Sequence, residues 1–403
     1  MKHLIKLSTL SLAIAAAPQV FAANNTIPVD ETNYNQAAAA KYMNNWDKRG
    51  ADKHIVHLPI LVPAGDKAPV VRMNQDSLYS SAIAHADKDG YIHVTIDEFE
   101  NEPGTEDVYT SVHVLDENSA SPMYKVGPGE YSVKIDTDFA FIIFRAGVED
   151  KTDLTNALAA QSRFHVDYSA SKKYAPQGYI APNYDVAQRQ AMTKKLKQDF
   201  LEAGEDFFYV ASSDSADANN GRQMRSNAQG WGGMPIEVGV SNIYRNTKQF
   251  DGSQCQQTTF DEPDNKYFTS ITLYDAAGYM LDTERFSINS YEWDKNRDGT
   301  VTISFGCGEN APNNLKTNGE DFNYTVRNYG ASQDVQYDVY GGRELKYLAG
   351  GSINLITSKT PQVKSHLGGS SHSWLFYQPW YTLILRAHKT GLWLIGDVIK
   401  HGL

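Results

Sequence analysis

Apolar side chains recur at every second position through much of this chain. Ile92, Val94 and Ile96 share one face of an extended run, and Val108, Val112 and Val114 one face of the next. That is the period of a strand with one buried side. The apolar run Phe139–Phe144, closed by Arg145, predicts a further strand. Past Gly230 the pattern returns. Phe268–Tyr274 and Tyr279–Leu281 predict a hairpin around Asp275-Ala276-Ala277-Gly278, Val301–Phe305 follows the turn Asp294–Thr300, and Phe322–Tyr329 and Val335–Tyr340 predict later strands. On Phe322–Tyr329 the residues Asn323, Thr325, Arg327 and Tyr329 share one face.

Helical periods interrupt this rhythm. Ala37–Ala40 leads into Tyr42 and Trp46, which are i and i+4, and the run ends near Gly50. Thr152–Ser162 carries Leu154 and Leu158 at the same spacing. Val186–Ala203 places Met192, Leu196 and Phe200 on one stripe and stops at Gly204. The two later helices read as a connection between β-rich halves. Ser212–Arg225 is rich in Asn, Asp and Ser and reads as a surface loop. The glycines of Gly230-Trp231-Gly232-Gly233-Met234-Pro235 allow a close backbone approach where the second β block begins.

Composition adds a compartment. Lys2 and Lys6 precede the apolar run Leu7–Ala17, and Val20-Phe21-Ala22 fits cleavage after Ala22, so residues 1–22 read as a signal peptide. The run is too short to span a bilayer, and no Cys follows the cleavage point. The mature chain is expected in the periplasm or outside the cell, where Cys255 and Cys307, the two cysteines present, are expected to form one disulfide. The formal charge of −11 argues against nucleic acid as a partner. It is unevenly spread: residues 343–403 hold seven Lys/Arg against two Asp/Glu, a formal +5, which leaves −16 on the rest. This tail also carries Trp374-Leu375-Phe376-Tyr377 and Leu392–Ile395. No run in it reaches the ~20 apolar residues of a transmembrane span. It reads as a last element packed on the acidic body or as a membrane-surface contact.

Several chemistries are absent or incomplete. There is no G-x-S-x-G, no H-E-x-x-H, no Cys-x-x-Cys, no Walker A and no Rossmann glycine motif, so neither a metal nor an organic cofactor is expected. Asp294-x-Asn296-x-Asp298-Gly299 starts like an EF-hand, but Phe305 stands at the twelfth position, so it reads as a hairpin turn. His54 and His57 precede Pro59 and Pro63 and do not make a ligand pair.

The densest polar stretch is Asn74-Gln75-Asp76-Ser77-Leu78-Tyr79-Ser80. If Met73–Ser81 is extended, Asn74 and Asp76 project side by side, and a buried pair of this kind faces a cleft or holds a turn. Two readings stand: an Asx-turn at a strand start, or a site in which Asp76 is an acid/base and Tyr79 assists it. Asn74, Arg145, Trp231 and Arg327 are candidate ligand-binding groups, since an Arg at a strand end can grip an anion with its fork. Arg145 and Arg327 are equally candidates for ion pairs with Asp76 that stitch the fold.

The stretch Asn74-x-Asp76-x-Leu78-Tyr79-Ser80, with Val126-Gly127-Pro128-Gly129-Glu130-Tyr131 and Phe139–Phe144, resembles the bacterial DUF1254 domain. The segment Tyr267–Leu281, the turn holding Asp298-Gly299-Thr300, Asn313-Asn314-Leu315 and Val326-Arg327-Asn328-Tyr329 resembles DUF1214. The resemblance implies a mainly β protein, two antiparallel jelly-roll-like β-sandwich domains with connecting helices. The expected layout is a helical leader at 23–50, an N-terminal β domain at 51–150, a helical linker and polar loop at 151–225, a C-terminal β domain at 226–342 and the tail at 343–403. Some members of that family carry hydrolase labels. One expected function is therefore an envelope hydrolase acting on a small or glycan-like substrate in a cleft beside Asp76. The other is a non-catalytic ligand-binding or surface-associated module.

Overall fold

A computed structural model of the chain describes residues 26–98, 108–203, 207–212, 221–233, 242–332, 335 and 346–347. The signal peptide, the strand Val335–Tyr340 beyond its first residue, and the tail beyond Tyr347 lie outside the described residues. All described residues belong to one compact unit, Met1–Ser358.

The first half contains β1 (Val56–His57), β2 (Ser77–His85), β3 (Tyr91–Ile96), β4 (Thr110–Asp116), β5 (Met123–Val126), β6 (Gly129–Lys134), β7 (Phe139–Gly147) and β8 (Phe164–Val166). The order β1-β2-β7-β4-β5 makes one antiparallel sheet and β6-β3-β8 a second. Leu78 and Ala82 of β2, Val112 and Val114 of β4 and Phe144 of β7 meet Ile92, Val94 and Ile96 of β3 in the core between them. β3 keeps the alternation the sequence predicts, whereas β2 and β7 are buried on both faces. Their second face lies under helices and explains the unbroken apolar run Phe139–Phe144.

The second half contains β9 (Ile243–Asn246), β10 (Gln256–Asp261), β11 (Thr269–Tyr274), β12 (Ser287–Asn289), β13 (Thr300–Phe305), β14 (Asn314–Leu315), β15 (Asn323–Asn328) and β16 (Lys346–Tyr347). Its sheets run β14-β13-β10-β16 and β12-β11-β15-β9, antiparallel except for the short β13–β14 pair. Phe260, Ile271, Ile303, Phe305, Tyr324 and Val326 fill the sandwich. Cys255 and Cys307 are disulfide-bonded and tie the ends of the paired strands β10 and β13. The turn before β13 uses its own side chains: Asp298 accepts from Thr300 N and Oγ1, and Asn296 donates to Thr300 and Thr302.

Among the described residues five α-helices accompany the sheets: α1 (Tyr34–Asp47), α2 (Thr155–Gln161), α3 (Ser169–Tyr174), α4 (Val186–Ala203) and α5 (Gly221–Gly230). α1 buries Tyr42, Met43 and Trp46 against the outer face of β2 and β7, where Trp46 meets Phe141. α4 has the predicted bounds and buries Leu196 and Phe200.

Three expectations are corrected. The end of the stretch read as a surface loop, residues 221–225, is the first half of α5, a helix most of whose residues are buried, with Ser226 accepting from Phe208 N and Asn227 donating to Asn35. A polar buried face carries no hydrophobic period to read. In α2 the packed residues are Ala157 and Ala160, while Leu158 is exposed. The strand at Met73–Ser81 starts only at Ser77: Asn74 Oδ1 accepts from Asp76 N, an Asx-type turn, so Asn74 and Asp76 do not share a strand face.

Candidate ligand-binding site

The turn residues Arg72–Asp76 run directly along one face of the second sandwich. β11 and β15 turn Ile271, Leu273, Tyr324 and Val326 inward, so the alternate residues Ser270, Thr272, Tyr274, Thr325 and Arg327 project toward the first half. They take hold of this segment. Ser270 Oγ and Tyr329 OH donate to Asp76 Oδ2 at 2.5 and 2.8 Å. Tyr274 OH donates to Met73 O at 2.7 Å, and Arg327 Nη2 donates to Arg72 O at 3.0 Å. Arg72, with φ of 59°, donates Nη1 to Thr325 Oγ1 at 3.3 Å and turns Nε toward the Gln229 amide oxygen at 3.1 Å once that amide is oriented to accept.

A cavity of about 80 Å³ opens beside this lock. Its walls come from both halves: Asn74, Tyr79, Ser81 and Arg145 from the first, Tyr244 and Arg327 from the second, and Phe207, Tyr209 and Trp231 from the connecting segment. Tyr79 and Arg145 are cross-strand partners on β2 and β7, and the guanidinium lies 5.7 Å from the Tyr79 ring centre. Trp231 stacks on Tyr42 at 5.0 Å and donates Nε1 to Ser119 Oγ at 2.9 Å. The glycines around it permit this contact. A Cβ on Gly230 would meet the Phe207 ring at 3.0 Å, and one on Gly233 would overlap the Tyr209 ring. Tyr209 OH donates to Gly230 O at 2.5 Å.

The charges on this wall are one-sided. Arg72, Arg145 and Arg327 all line the cavity, and no Asp or Glu among the described residues lines it. None of the three has an ion pair among the described residues, so the expectation that Arg145 and Arg327 pair with Asp76 does not hold. Arg327 is held by hydrogen bonds instead, to Thr272 and Tyr274 of its own sheet and across the seam to Arg72 O. Arg145 differs: it is 5% exposed, and its Nε and Nη1 have no hydrogen-bond partner among the described residues. Burial opposes its charge, but the coulombic influence of Tyr244, Tyr79, Tyr124 and Tyr109 leaves its pKa above the ordinary arginine value, so the guanidinium is charged at pH 7. Burial pushes the Tyr79 phenol up to about 12, partly offset by Arg145, so near neutral pH it is a neutral donor and not a base. Arg72 is lowered to about 10 by burial and still carries charge at pH 7.

Five of the six candidate residues thus converge on one cavity: Asn74, Tyr79, Arg145, Trp231 and Arg327. Asp76 is fully buried and sits outside the lining. The sequence reading passed over Arg72, Tyr209, Phe207 and Tyr244. Arg72 had a signal, a charged residue inside the apolar run Val70-Val71-Arg72-Met73. The aromatic residues had none, since their place depends on chain that meets only in the fold.

The face that grips Arg72–Asp76 begins at β9 and ends past β15. Residues 244–333 match the family model described as DUF1214, protein of unknown function. The DUF1214 segment therefore supplies Tyr244 and Arg327 to the cavity and Ser270, Tyr274 and Tyr329 to the lock. No curated protein matches the chain. A solved protein of Vibrio parahaemolyticus aligns over 79% of this chain and 98% of its own with a TM-score of 0.52 at 14% identity, a likeness of fold alone. An uncharacterized protein of Burkholderia cenocepacia aligns over 75% and 86% with a TM-score of 0.45 at 15% identity. No helix among the described residues is long and apolar enough to cross a membrane. The described residues include no group of three His, Cys, Asp or Glu side chains arranged to hold a metal ion.

Proposed function

We propose that this chain is an exported binding protein that holds a small molecule in the cavity between its two sandwiches, and that it does not hydrolyse it. One observation carries the reading: five candidate ligand residues line one cavity, while Asp76, the carboxylate a hydrolytic mechanism would use, is bonded to Ser270 and Tyr329 outside the lining. A general base needs hydrogen-bond reach to its substrate. At ~10–15 Å³ per enclosed water, the cavity holds several waters, which suits a small molecule rather than a glycan chain.

Export is supported by the basic and apolar start of the chain and by the Cys255–Cys307 disulfide, a bond that persists in oxidising compartments. The first half reads as a DUF1254-like companion of the DUF1214 segment, on the strength of the Asn74–Ser80 stretch. The basic tail remains a candidate for contact with an anionic membrane surface.

Trp46 and Trp231 line the cavity and report on its contents. A library of small metabolites should quench their fluorescence saturably in the wild type. Ser81→Leu fills the cavity from β2 and should abolish the effect while the far-ultraviolet dichroism stays native. Quenching that is unchanged in a folded Ser81→Leu protein sinks the proposal.

A further inference from the structure

The seam cavity holds a guanidinium in an unusual state. Arg145 is buried, charged and without a hydrogen-bond partner at Nε or Nη1 among the described residues. Leaving a buried donor unmade is costly, and more so for a charged group. A fold keeps such a group when something outside the chain completes it.

The two neighbouring arginines do not play this part. Arg327 spends Nη1 on Thr272 and Nη2 on Arg72 O and Tyr274. Arg72 spends its donors on Thr325 and Gln229. Both add positive potential to a cavity that no carboxylate among the described residues lines, but their Nη atoms are committed, and of their nitrogens Arg327 Nε alone is without a partner. Arg145 is the one of the three with two unpartnered guanidinium nitrogens among the described residues, so the site is built for one oxyanion. The rest of the wall is flat and apolar: Tyr79, Phe141, Phe207, Tyr209, Trp231 and Tyr244 surround the space. Lysine, the point-charge partner of phosphate, is not in the lining.

Resting on the binding reading above, we propose that the ligand is a small monocarboxylate bearing a flat apolar group, with its carboxylate on the Arg145 guanidinium and its flat face among Trp231, Phe207 and Tyr244. The planar fork of Arg matches the two oxygens of a carboxylate. The aromatic side chains accept a ring by stacked or edge contacts. The buried anion replaces the interactions that Arg145 lacks and cancels part of the three-arginine charge.

The test is calorimetric titration of the mature chain with benzoate, benzamide and phenyl phosphate, repeated on Arg145→Gln. Benzoate and benzamide have nearly the same shape and differ in charge. The expected result is benzoate binding at least tenfold more tightly than benzamide and more tightly than phenyl phosphate in the wild type. Arg145→Gln should erase the benzoate preference and leave benzamide affinity nearly unchanged, which also shows that the cavity is intact. Equal wild-type affinities for benzoate and benzamide overturn the carboxylate proposal and leave the binding reading standing. Preference for phenyl phosphate overturns it in favour of a phosphoryl ligand. If none of the three binds although the fluorescence library yields a ligand lost in Ser81→Leu, the ligand class is wrong and the seam site is right. The wild-type comparison decides the matter even if Arg145→Gln fails to fold.

Discussion

Tyr329 OH donates to Asp76 Oδ2 at 2.8 Å, and this bond runs from the end of β15 in one sandwich to the turn that opens β2 in the other. The two residues are 253 positions apart. With Ser270 they hold a fully buried carboxylate, and that carboxylate fixes the turn from which Asn74 and Tyr79 reach the cavity.

Removing either donor leaves Asp76 under-bonded in the interior. Tyr329→Phe and Ser270→Ala should each lower the unfolding free energy by about 1–3 kcal/mol. The double variant should lose less or more than their sum, since both act on one oxygen. Urea unfolding midpoints check this. Two variants indistinguishable from wild type would mean that the lock contributes nothing to stability.

The buried arginines should behave oppositely. Arg327→Met removes one hydrogen bond across the seam, to Arg72 O, and two within its own sandwich, to Thr272 and Tyr274, and should cost about 2–4 kcal/mol. Arg145→Met removes no hydrogen bond within the described protein and relieves an under-bonded buried charge. It should change stability by less than ~1 kcal/mol, or raise it. Thermal melts of the two variants side by side give the comparison.

The disulfide closes a loop of 52 residues between Cys255 and Cys307. On the chain-entropy account, opening such a loop costs about 4 kcal/mol. The Cys255→Ser, Cys307→Ser double variant should lose stability on that order. A reductant should lower the wild-type melting point and leave the variant's unchanged.

A pH dependence follows from Asp116 at the end of β4. Burial raises its carboxyl to about 7, against the pull of the Asn118 and Ala120 backbone N–H groups. The folded chain keeps this proton in a range where the unfolded chain, with an ordinary carboxyl near 4, has lost it. Its contribution to stability is therefore full below about pH 4, declines as pH rises, and is gone above about 7. By ~1.4 kcal/mol per pKa unit, the decline amounts to a few kcal/mol. Asp116→Asn should keep the accepting oxygen and remove that decline, so the variant gains on wild type between pH 4 and pH 8. Denaturant titrations at the two pH values measure it.

What the sequence made legible was periodic. The strand β11, α4, β3 and the polar face Asn323, Thr325, Arg327, Tyr329 follow from spacing, because one side of each is apolar and the other is not, whereas the expected return strand Tyr279–Leu281 makes only the single bridge Tyr274–Met280, and Ser287–Asn289 pairs β11 instead. α5 escaped because its buried side chains include Gln223, Ser226, Asn227 and Gln229, which satisfy one another's neighbours instead of packing as hydrocarbon. The convergence of Asn74, Tyr79, Arg145, Trp231 and Arg327 was foreseeable as a cluster. The separation of Asp76 from it was not. That depends on Ser270 and Tyr329 arriving from a strand pair 194 and 253 residues away, and no local pattern encodes it. The missing ion pairs of Arg145 and Arg327 have the same origin: the Asp76 carboxylate is turned to the hydroxyls of Ser270 and Tyr329.

The most direct measurement is product release from small esters, amides and glycosides by the mature chain, run beside Asp76→Asn and Tyr79→Phe on the same substrates. The binding account expects none of the three proteins to release product above the uncatalysed rate, while the wild type still binds the parent acids. Turnover by the wild type that disappears in Asp76→Asn would contradict it and return Asp76 to the role of catalyst.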